Sequence, residues 1–220
     1  MKIATWNLER PTKTSKRNPA IIDSLLKINA DILILTETNE IINLGDRYTY
    51  FHTAKLEGPF YKEGERRVSI YSKYKSLEHI ESFRRDTSIC ERLQTPLGSL
   101  AVYGTVIGIF GNRNKGFMED LDQQLLDFGR VTEKGDFCLA GDLNISYSDN
   151  YYFTKEGRSK LNASFEKLKL INLTAGIAQN IDHIIVSRAF VGDRPKSIKT
   201  WNDDKRLSDH IGVAVEIETT

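Results

Sequence analysis

The sequence predicts an α/β sandwich of mixed β-sheets, and three observations support this fold class. Strand-like and helix-like patterns alternate along all 220 residues, giving about nine strands against three helices. Some strands form hairpin-like pairs, such as residues 90–93 and 100–102 across Pro96-Leu97-Gly98. Hairpins disfavour an all-parallel sheet, whereas the long crossovers elsewhere disfavour a plain antiparallel barrel.

The predicted elements follow in order from local patterns. Residues 1–8 have a strand pattern, and an amphipathic, capped helix is expected from Asn18-Pro19 to about Asn29, with proline in its first turn. The apolar run at 32–36 is typical of a strand buried on both faces. Further strands are predicted at 48–53, 68–72, 88–93, 99–110, 136–140, 181–187 and 211–217, and further helices at 118–132 and 159–168.

Composition limits the class of protein. The chain is 40% hydrophobic and 28% charged, which excludes disorder, collagen and coiled coil. Its length predicts one domain over residues 1–220. The sequence shows no secretory signal pattern and no apolar stretch of membrane-spanning length. Only two cysteines, Cys90 and Cys138, are present, both in apolar segments. We therefore expect a soluble, cytoplasmic protein in a reducing compartment.

Polar side chains fall at the predicted strand ends. Each residue alone also fits an ordinary turn, a cap or a buried histidine. Their placement along the chain instead favours one shared pocket, because neighbouring strands lie about 5 Å apart and their loops open on a common rim. The residues concerned are Asn7, Glu37, Asp142, Asn144, Asp182, Asp209 and His210.

Six segments carry a resemblance to a known family. They are ATWNL (4–8), LTETN (35–39), VSIYSK (68–73), AGDLN (140–144), IDHIIVS (181–187) and LSDH (207–210). In this order the chain resembles the endonuclease/exonuclease/phosphatase superfamily, which has the deoxyribonuclease I-like fold. The resemblance spans nearly the whole chain. It implies a four-layer α/β sandwich with two packed mixed β-sheets flanked by helices.

The resemblance also implies metal-assisted hydrolysis of a phosphoester. Glu37, with Asn7 and Asp209, would hold Mg²⁺ or Mn²⁺, since hard cations prefer oxygen ligands. The ion would neutralise charge on phosphate and leaving oxygens. The expected cofactor is therefore Mg²⁺ or Mn²⁺.

The resemblance assigns the remaining roles to four residues. Asp142 would orient the attacking water or accept its proton, and Asn144 would hold that water or a phosphate oxygen. His210 would contact a phosphate oxygen or move a proton, with Asp182 on its other ring nitrogen. His183, next to Asp182, is expected to be a packing residue.

One departure from the family pattern concerns the central strand. Relatives commonly carry His or Tyr there, and Val106 occupies the corresponding position. Either a shifted register brings Tyr103 into the site, or Asn112 or Arg113 of the following loop binds the substrate phosphate. A guanidinium binds phosphate in a bidentate way, but Arg113 is equally consistent with a solvated loop charge.

Several functions remain open from the sequence. The net charge of +1 provides no strong global field for polyanions. The leading hypothesis is a nuclease on DNA or RNA, with basic residues near 10–17 and 62–67 forming a local rim. The alternatives are a phosphatase or phosphodiesterase on a small-molecule or lipid head-group phosphate, and a nucleic-acid- or phosphate-binding module without catalysis. The aromatic side chains of the loops 47–65 and 147–157 are expected either to contact the substrate or to serve only as hydrophobic anchors of their own loops. No oligomeric state is predicted.

Overall fold

The computed structural model describes residues 1–219. Twelve strands form two six-stranded sheets, and four helices connect or flank them. In chain order the elements are β1 (Lys2–Asn7), α1 (Asn18–Ile28), β2 (Ile32–Asn39), β3 (Thr49–His52), β4 (Glu65–Ser72), β5 (Ser76–Ile80), β6 (Ser88–Thr95), β7 (Gly98–Val106), α2 (Gly116–Thr132), β8 (Phe137–Asp142), α3 (Lys155–Lys167), β9 (Leu170–Asn172), β10 (Asp182–Ser187), α4 (Arg188–Val191), β11 (Lys196–Trp201) and β12 (Gly212–Ile217).

Both sheets are mixed, as the sequence predicts. Sheet A has the strand order β11-β12-β1-β2-β4-β3, and sheet B has the order β5-β6-β7-β8-β10-β9. In each sheet one central pair is parallel, β1 with β2 and β7 with β8, and the other pairs are antiparallel. The predicted hairpin is β6–β7, which closes between Thr95 and Gly98.

The two sheets pack face to face and helices cover their outer faces. Branched residues such as Ile34 of sheet A and Val102 of sheet B fill the inner core. On the outer side of sheet A, α1 buries Ile21, Leu25 and Ile28. On the outer side of sheet B, α2 and α3 bury aromatic and leucine side chains. This layering confirms the predicted four-layer α/β sandwich.

The strand predicted at 99–110 ends earlier, at Val106. The chain turns at Gly108, which has a φ of +73° and donates its N–H to Asp120 Oδ2 at 2.8 Å. A Cβ on Gly108 would lie 2.4 Å from the Phe117 ring, so only glycine fits this turn. The prediction extended too far because Ile107, Ile109 and Phe110 continue the apolar pattern beyond the strand.

Three short strands and one helical turn were not predicted. β5 and β11 are edge strands with largely exposed side chains, so they lack the apolar alternation that marks a buried strand. β9 has three residues, and α4 is a single turn. All four are held by hydrogen bonds or packing to neighbouring elements, which local patterns do not encode.

The first helix has the predicted position but not a side-chain cap at its start. Asn18 donates its amide to the Thr12 carbonyl at 2.9 Å instead of capping the helix. At the other end, Asn29 adopts a left-handed conformation and its N–H bonds to Leu25 O at 3.1 Å.

The two cysteines are buried and form no disulfide with each other. None of the helices within residues 1–219 combines the length and apolar character needed to cross a membrane.

Candidate active site

The polar strand ends meet where the two sheets pack together. β1 of sheet A lies against β8 and β10 of sheet B. Asn7, the last residue of β1, donates its Nδ2 to Asp142 Oδ2 at 3.1 Å, and Asp142 is the last residue of β8. Across the β8–β10 ladder, Asp142 is paired with Asp182. The structure therefore joins residues from three strands at one rim.

Asp142 is a buried carboxylate with hydrogen bonds on both oxygens. Oδ1 accepts the N–H of Asn144 at 2.8 Å, and Oδ2 accepts the Asn7 amide. Burial and the neighbouring charge of Asp182 raise the pKa of Asp142 to about 7, while His210 and the Asn144 N–H oppose the rise. A carboxylate with this pKa exchanges protons near neutral pH, as a general base requires.

His210 and Asp182 form a tight pair next to Asp142. Nδ1 of His210 lies 2.6 Å from Oδ2 of Asp182, which is buried. Burial lowers the pKa of His210, but the charge and hydrogen bond of Asp182 outweigh it and bring the pKa to about 10. His210 is therefore an imidazolium at neutral pH, with its Nδ1 proton donated to Asp182.

The main chain around His210 is held by residues that sequence reasoning missed. The carbonyl of His210 accepts Trp6 Nε1 at 3.0 Å and Asn202 Nδ2 at 2.7 Å. Ser208 Oγ donates to the Asn7 carbonyl at 2.6 Å, which ties the loop before β12 to the end of β1. The segments LSDH and ATWNL contain Ser208 and Trp6, whereas nothing local pointed to Asn202.

Glu37 lies on the sheet A side of the rim. It adopts a φ of +44° inside β2, and Glu9, Arg10 and Asn144 nearby also have positive φ. Such conformations are uncommon outside glycine and cluster at functional sites. Burial raises the pKa of Glu37, while a hydrogen bond to Asn7 and the charge of His210 lower it. Glu37, Asn7 and His210 are therefore close enough to act together.

The donor chemistry of this rim fits a hard divalent cation. Glu37, Asp142 and Asp182 bring three carboxylates together, and their mutual repulsion contributes to the raised pKa of Asp142. Asp182 also has a buried carboxylate oxygen, Oδ1, with no hydrogen-bond partner in residues 1–219. A cation would offset both costs.

Of the predicted metal ligands, Asn7 has its oxygen in another hydrogen bond and Asp209 faces solvent. The Asn7 Oδ1 atom accepts the Glu9 N–H at 2.9 Å, and the Asp209 side chain is 68% exposed. Over residues 1–219 there is no group of three or more His, Cys, Asp or Glu side chains placed to hold a metal. Any ion here would therefore be held through few protein ligands.

Asn144 has a different environment from the one expected of a phosphate ligand. Its Nδ2 donates to Ile107 O at 2.9 Å and Gly108 O at 3.2 Å. Its amide hydrogens are therefore directed at the loop after β7. Asn112 from the same loop is buried and donates its Nδ2 to the Asn144 carbonyl at 2.6 Å. Asn112 thus braces Asn144, and its amide nitrogen is engaged by the Asn144 carbonyl rather than directed at a phosphate as predicted.

The structure does not bring Tyr103 into the site. Its ring is buried under α2 beside Phe128, and its hydroxyl lies 3.0 Å from Asp127 Oδ2. Val106 is buried in the core between the sheets. Arg113 is exposed in the loop after β7 and forms no ion pair within residues 1–219. A register shift that would expose Tyr103 is excluded, because the β7–β8 pairing places Val106 opposite Asp142.

Two clefts flank the buried carboxylates. The cleft on the His210 side has a volume of about 270 Å³ and is lined by Tyr151, Tyr152 and Lys205 among others. The cleft on the Glu37 side has a volume of about 540 Å³. Of the aromatic loop at 147–157, Tyr147 instead packs inward against His183. Tyr151 and Tyr152 of this loop therefore line the cleft, whereas Tyr147 does not.

His183 is a buried, neutral packing residue. Its Nε2 lies 2.9 Å from the Ile145 carbonyl and its Nδ1 lies 3.1 Å from Thr174 Oγ1. Burial lowers its pKa to about 4, although the Ile145 carbonyl and Asp182 oppose the shift. It faces away from the rim and is engaged on both nitrogens.

The low pKa of His183 predicts a loss of stability in acid. An unfolded histidine has a pKa near 6.5, so between about pH 6.5 and 4 the unfolded chain binds a proton at this histidine and the folded chain does not. Folding is therefore favoured above pH 6.5, and the free energy of unfolding falls by about 3 kcal/mol as the pH drops to 4.

Urea unfolding of the wild type and of His183→Gln at pH 7 and pH 4.5 measures this contribution. The variant is expected to lose less stability between the two pH values than the wild type does. Lys13→Gln, at an exposed lysine, is the control and should retain the wild-type acid loss. Equal losses in wild type and His183→Gln would contradict the assignment.

Comparison with known proteins places the chain in a family. The profile described as the Endonuclease/Exonuclease/phosphatase family matches residues 4–210. The chain belongs to this family. The endonucleases, exonucleases and phosphatases of this family are phosphoester hydrolases, and the rim described above lies within the matched residues. No curated protein sequence matches the chain.

Solved structures of the Endonuclease/Exonuclease/phosphatase family share the fold. A 3′ phosphatase, NExo, from Neisseria superposes with a TM-score of 0.73 at 16% identity, covering 99% of each chain. An AP endonuclease from Archaeoglobus fulgidus gives 0.71 at 14% identity, also covering 99% of each chain. A family member from Beutenbergia cavernae gives 0.70 at 15% identity, covering 99% of this chain and 71% of the other. At these identities the likeness establishes the fold.

Proposed function

We propose that this phosphoester hydrolase is a divalent-metal-dependent phosphodiesterase that cleaves nucleic acid. The observation that carries the proposal is the 3.1 Å contact between Asn7 and Asp142. It joins the expected cation ligands to a general base, next to the His210–Asp182 pair. A cation, a base and an imidazolium at one rim are the groups that phosphodiester hydrolysis requires.

The residues divide the chemistry between them. Asp142, with a pKa of about 7, accepts a proton from the attacking water. His210, held as an imidazolium by Asp182, donates a hydrogen bond to a nonbridging phosphate oxygen and offsets its developing charge. Asn144 keeps the Asp142 turn in place through its N–H.

Glu37 and Asn7, with Asp209, would hold Mg²⁺ or Mn²⁺, which would neutralise charge on the phosphate and the leaving oxygen. A hydrogen bond from the Asn7 amide supports the Glu37 carboxylate, and Asn7 Oδ1, which accepts the Glu9 N–H at 2.9 Å, would turn from that contact to bind the ion. Because Asp209 is largely exposed, its contribution to binding the ion is expected to be the smaller one.

Nucleic acid as the substrate is supported by surface chemistry and by relatives. The Glu37-side cleft contains the guanidiniums of Arg10 and Arg67 and several aromatic rings, which suit phosphates and bases. NExo is described as a 3′ phosphatase bound to a product DNA hairpin, and the Archaeoglobus protein is described as an AP endonuclease.

A phosphatase acting on a small or terminal phosphate is the second candidate. It is favoured by the cleft of about 270 Å³ beside His210, which is of the size of a small phosphoester.

The two buried unpaired cysteines support a reducing, cytoplasmic location as part of the same proposal.

Removal of divalent cations is expected to abolish hydrolysis. The purified protein is assayed on plasmid, single-stranded and duplex oligonucleotides, sugar phosphates, inositol phosphates and nucleotides, with EDTA and then with excess Mg²⁺ or Mn²⁺. Cleavage of nucleic acid that EDTA stops and either ion restores is the expected result. Glu37→Gln should raise the ion concentration that gives half-maximal activity.

Other outcomes separate the alternatives. Release of phosphate from small molecules alone favours the phosphatase. Nucleic-acid binding that is indifferent to EDTA and gives no cleavage would identify a binding module. Full activity in EDTA would contradict the metal-dependent mechanism.

A further inference from the structure

Two exposed phenylalanines line the cleft on the Glu37 side. Phe60 is 82% exposed and Phe110 is 76% exposed, and both border the same cleft as Glu37 and Arg67. They are the two most exposed large hydrophobic side chains within residues 1–219. Aromatic rings left in water beside a polar centre mark a surface that a ligand covers.

The backbone that carries Phe60 is fixed although its ring is free. Arg10 Nη2 donates to the Phe60 carbonyl at 2.7 Å, and Arg10 Nε donates to Glu65 Oε1 at 2.7 Å. The other carboxylate oxygen of Glu65 accepts the Lys62 N–H at 3.0 Å. Since Arg10 follows β1 closely, the loop carrying Phe60 is tied to the strand that ends in Asn7.

The backbone that carries Phe110 is fixed from the other sheet. Gly111 N–H bonds to Gly108 O at 2.7 Å, closing the turn around Phe110. Asn144 Nδ2 donates to the carbonyls of Ile107 and Gly108 that begin this turn. The turn that carries Phe110 is therefore bonded to Asn144, two residues after Asp142, so the backbone of each phenylalanine has a defined place relative to the rim.

Arg10, Tyr61 and Arg67 form a basic and aromatic cluster that lines the same cleft as the two phenylalanines. The Tyr61 ring lies 5.9 Å from the guanidinium carbon of Arg10 and 5.3 Å from that of Arg67. Arg67 Nη2 also donates to the Tyr61 hydroxyl at 2.7 Å. Arg10 is neutralised by Glu65, whereas Arg67 has no carboxylate partner within residues 1–219. Its charge is available to a phosphate.

We propose that Phe60 and Phe110 stack on an unpaired nucleobase adjacent to the scissile phosphate, while Arg67 and Tyr61 receive a neighbouring phosphate. The inference rests on the proposed nuclease function and specifies its substrate as single-stranded or unpaired nucleic acid. A base within a duplex is covered by its stacked neighbours, so exposed aromatic rings on opposite loops suit a base that has left the stack. Phe60 and Phe110 are thus specificity-determining residues.

Binding is measured without turnover, in EDTA, on the full chain carrying Asp142→Asn. The probes are a fluorescein-labelled single-stranded DNA dodecamer, its duplex, and an RNA dodecamer of the same sequence. A 2-aminopurine version of each single strand reports stacking through quenching of its emission. We expect the duplex to bind more weakly than the single strands, and the two single strands to show whether DNA or RNA is favoured.

Adding Phe60→Ala or Phe110→Ala is expected to raise the Kd for the single strand by about tenfold and to reduce the quenching. Leu126→Ala is the matched control, because Leu126 is 68% exposed but lies on α2 outside this cleft. It should leave both signals unchanged. Since the three side chains compared on the Asp142→Asn background are all exposed, unfolding temperatures should be equal across the set.

Wild-type Kd and quenching in both phenylalanine variants would overturn the inference, as would duplex binding tighter than single-strand binding. If EDTA-sensitive cleavage persists alongside that result, the proposed function stands and only the stacking inference fails. If the wild type cleaves no nucleic acid yet binding depends on both phenylalanines, the proposed catalytic function fails and the stacking assignment stands.

Discussion

Asp142→Asn and His210→Ala are each expected to lower the rate of phosphodiester cleavage by about 10³-fold. An amide at position 142 keeps the size of the side chain but accepts no proton from water. Removal of the His210 ring takes away the positive charge that Asp182 holds at the rim. Steady-state cleavage of the best substrate from the panel measures both effects.

The two losses are expected to be far from additive, because both groups act on the same transition state. The double variant should therefore be little slower than either single variant. Asp122→Asn, at an exposed aspartate paired with Lys160 on the far side of sheet B, is the control and should keep full activity. Retention of more than a tenth of wild-type activity in both single variants would exclude the proposed roles.

The unfolding of the Asp142→Asn variant provides a second measurement. Replacement of the buried Asp142 carboxylate by a neutral amide removes its repulsion by Asp182 but gives up one of the two hydrogen bonds that it accepts, so only a small change in the thermal unfolding temperature is expected. Loss of activity with retained stability would separate a catalytic role from a structural one. A large fall in unfolding temperature would mean that Asp142 mainly supports the fold.

Gly141→Ala is expected to cost about 4 kcal/mol of stability or more, the largest structural effect among the predictions. Gly141 has a φ of +135°, and a Cβ there would lie 2.0 Å from the Thr105 carbonyl oxygen on the adjacent strand. The obstacle is backbone, so no side-chain movement relieves it. The glycine before Asp142 is thus required by the close approach of β7 and β8.

Gly129→Ala is the matched control for Gly141→Ala. Gly129 lies inside α2, and nothing lies within 4 Å of a Cβ added there. Alanine should stabilise the helix by about 0.5–1 kcal/mol. Urea unfolding of both variants gives the comparison, and a Gly141→Ala protein as stable as the wild type would contradict the close packing of these strands.

Much of the fold follows from local patterns. The continuous apolar run of β2 and the amphipathic face of α1 each predict an element because burial of that face is what stabilises it. The positions of Asp142 before a turn and Asp182 at a strand start were also predictable. Edge strands such as β11 were not, since their exposed side chains leave no periodic apolar signal.

The roles within the site divide in the same way. Local patterns sufficed to mark most of the acids, amides and imidazoles at strand ends, because side-chain chemistry and strand boundaries are local properties, although Glu37 lies inside β2 and not at its end. The three-dimensional packing alone shows that Tyr103 lies under α2 and that Asn112 braces Asn144. Likewise, it alone decided that Arg10 holds the loop of Phe60. These facts depend on strand register and on contacts between residues far apart in the chain, where packing and hydrogen-bond satisfaction select one arrangement among many that the same local pattern allows.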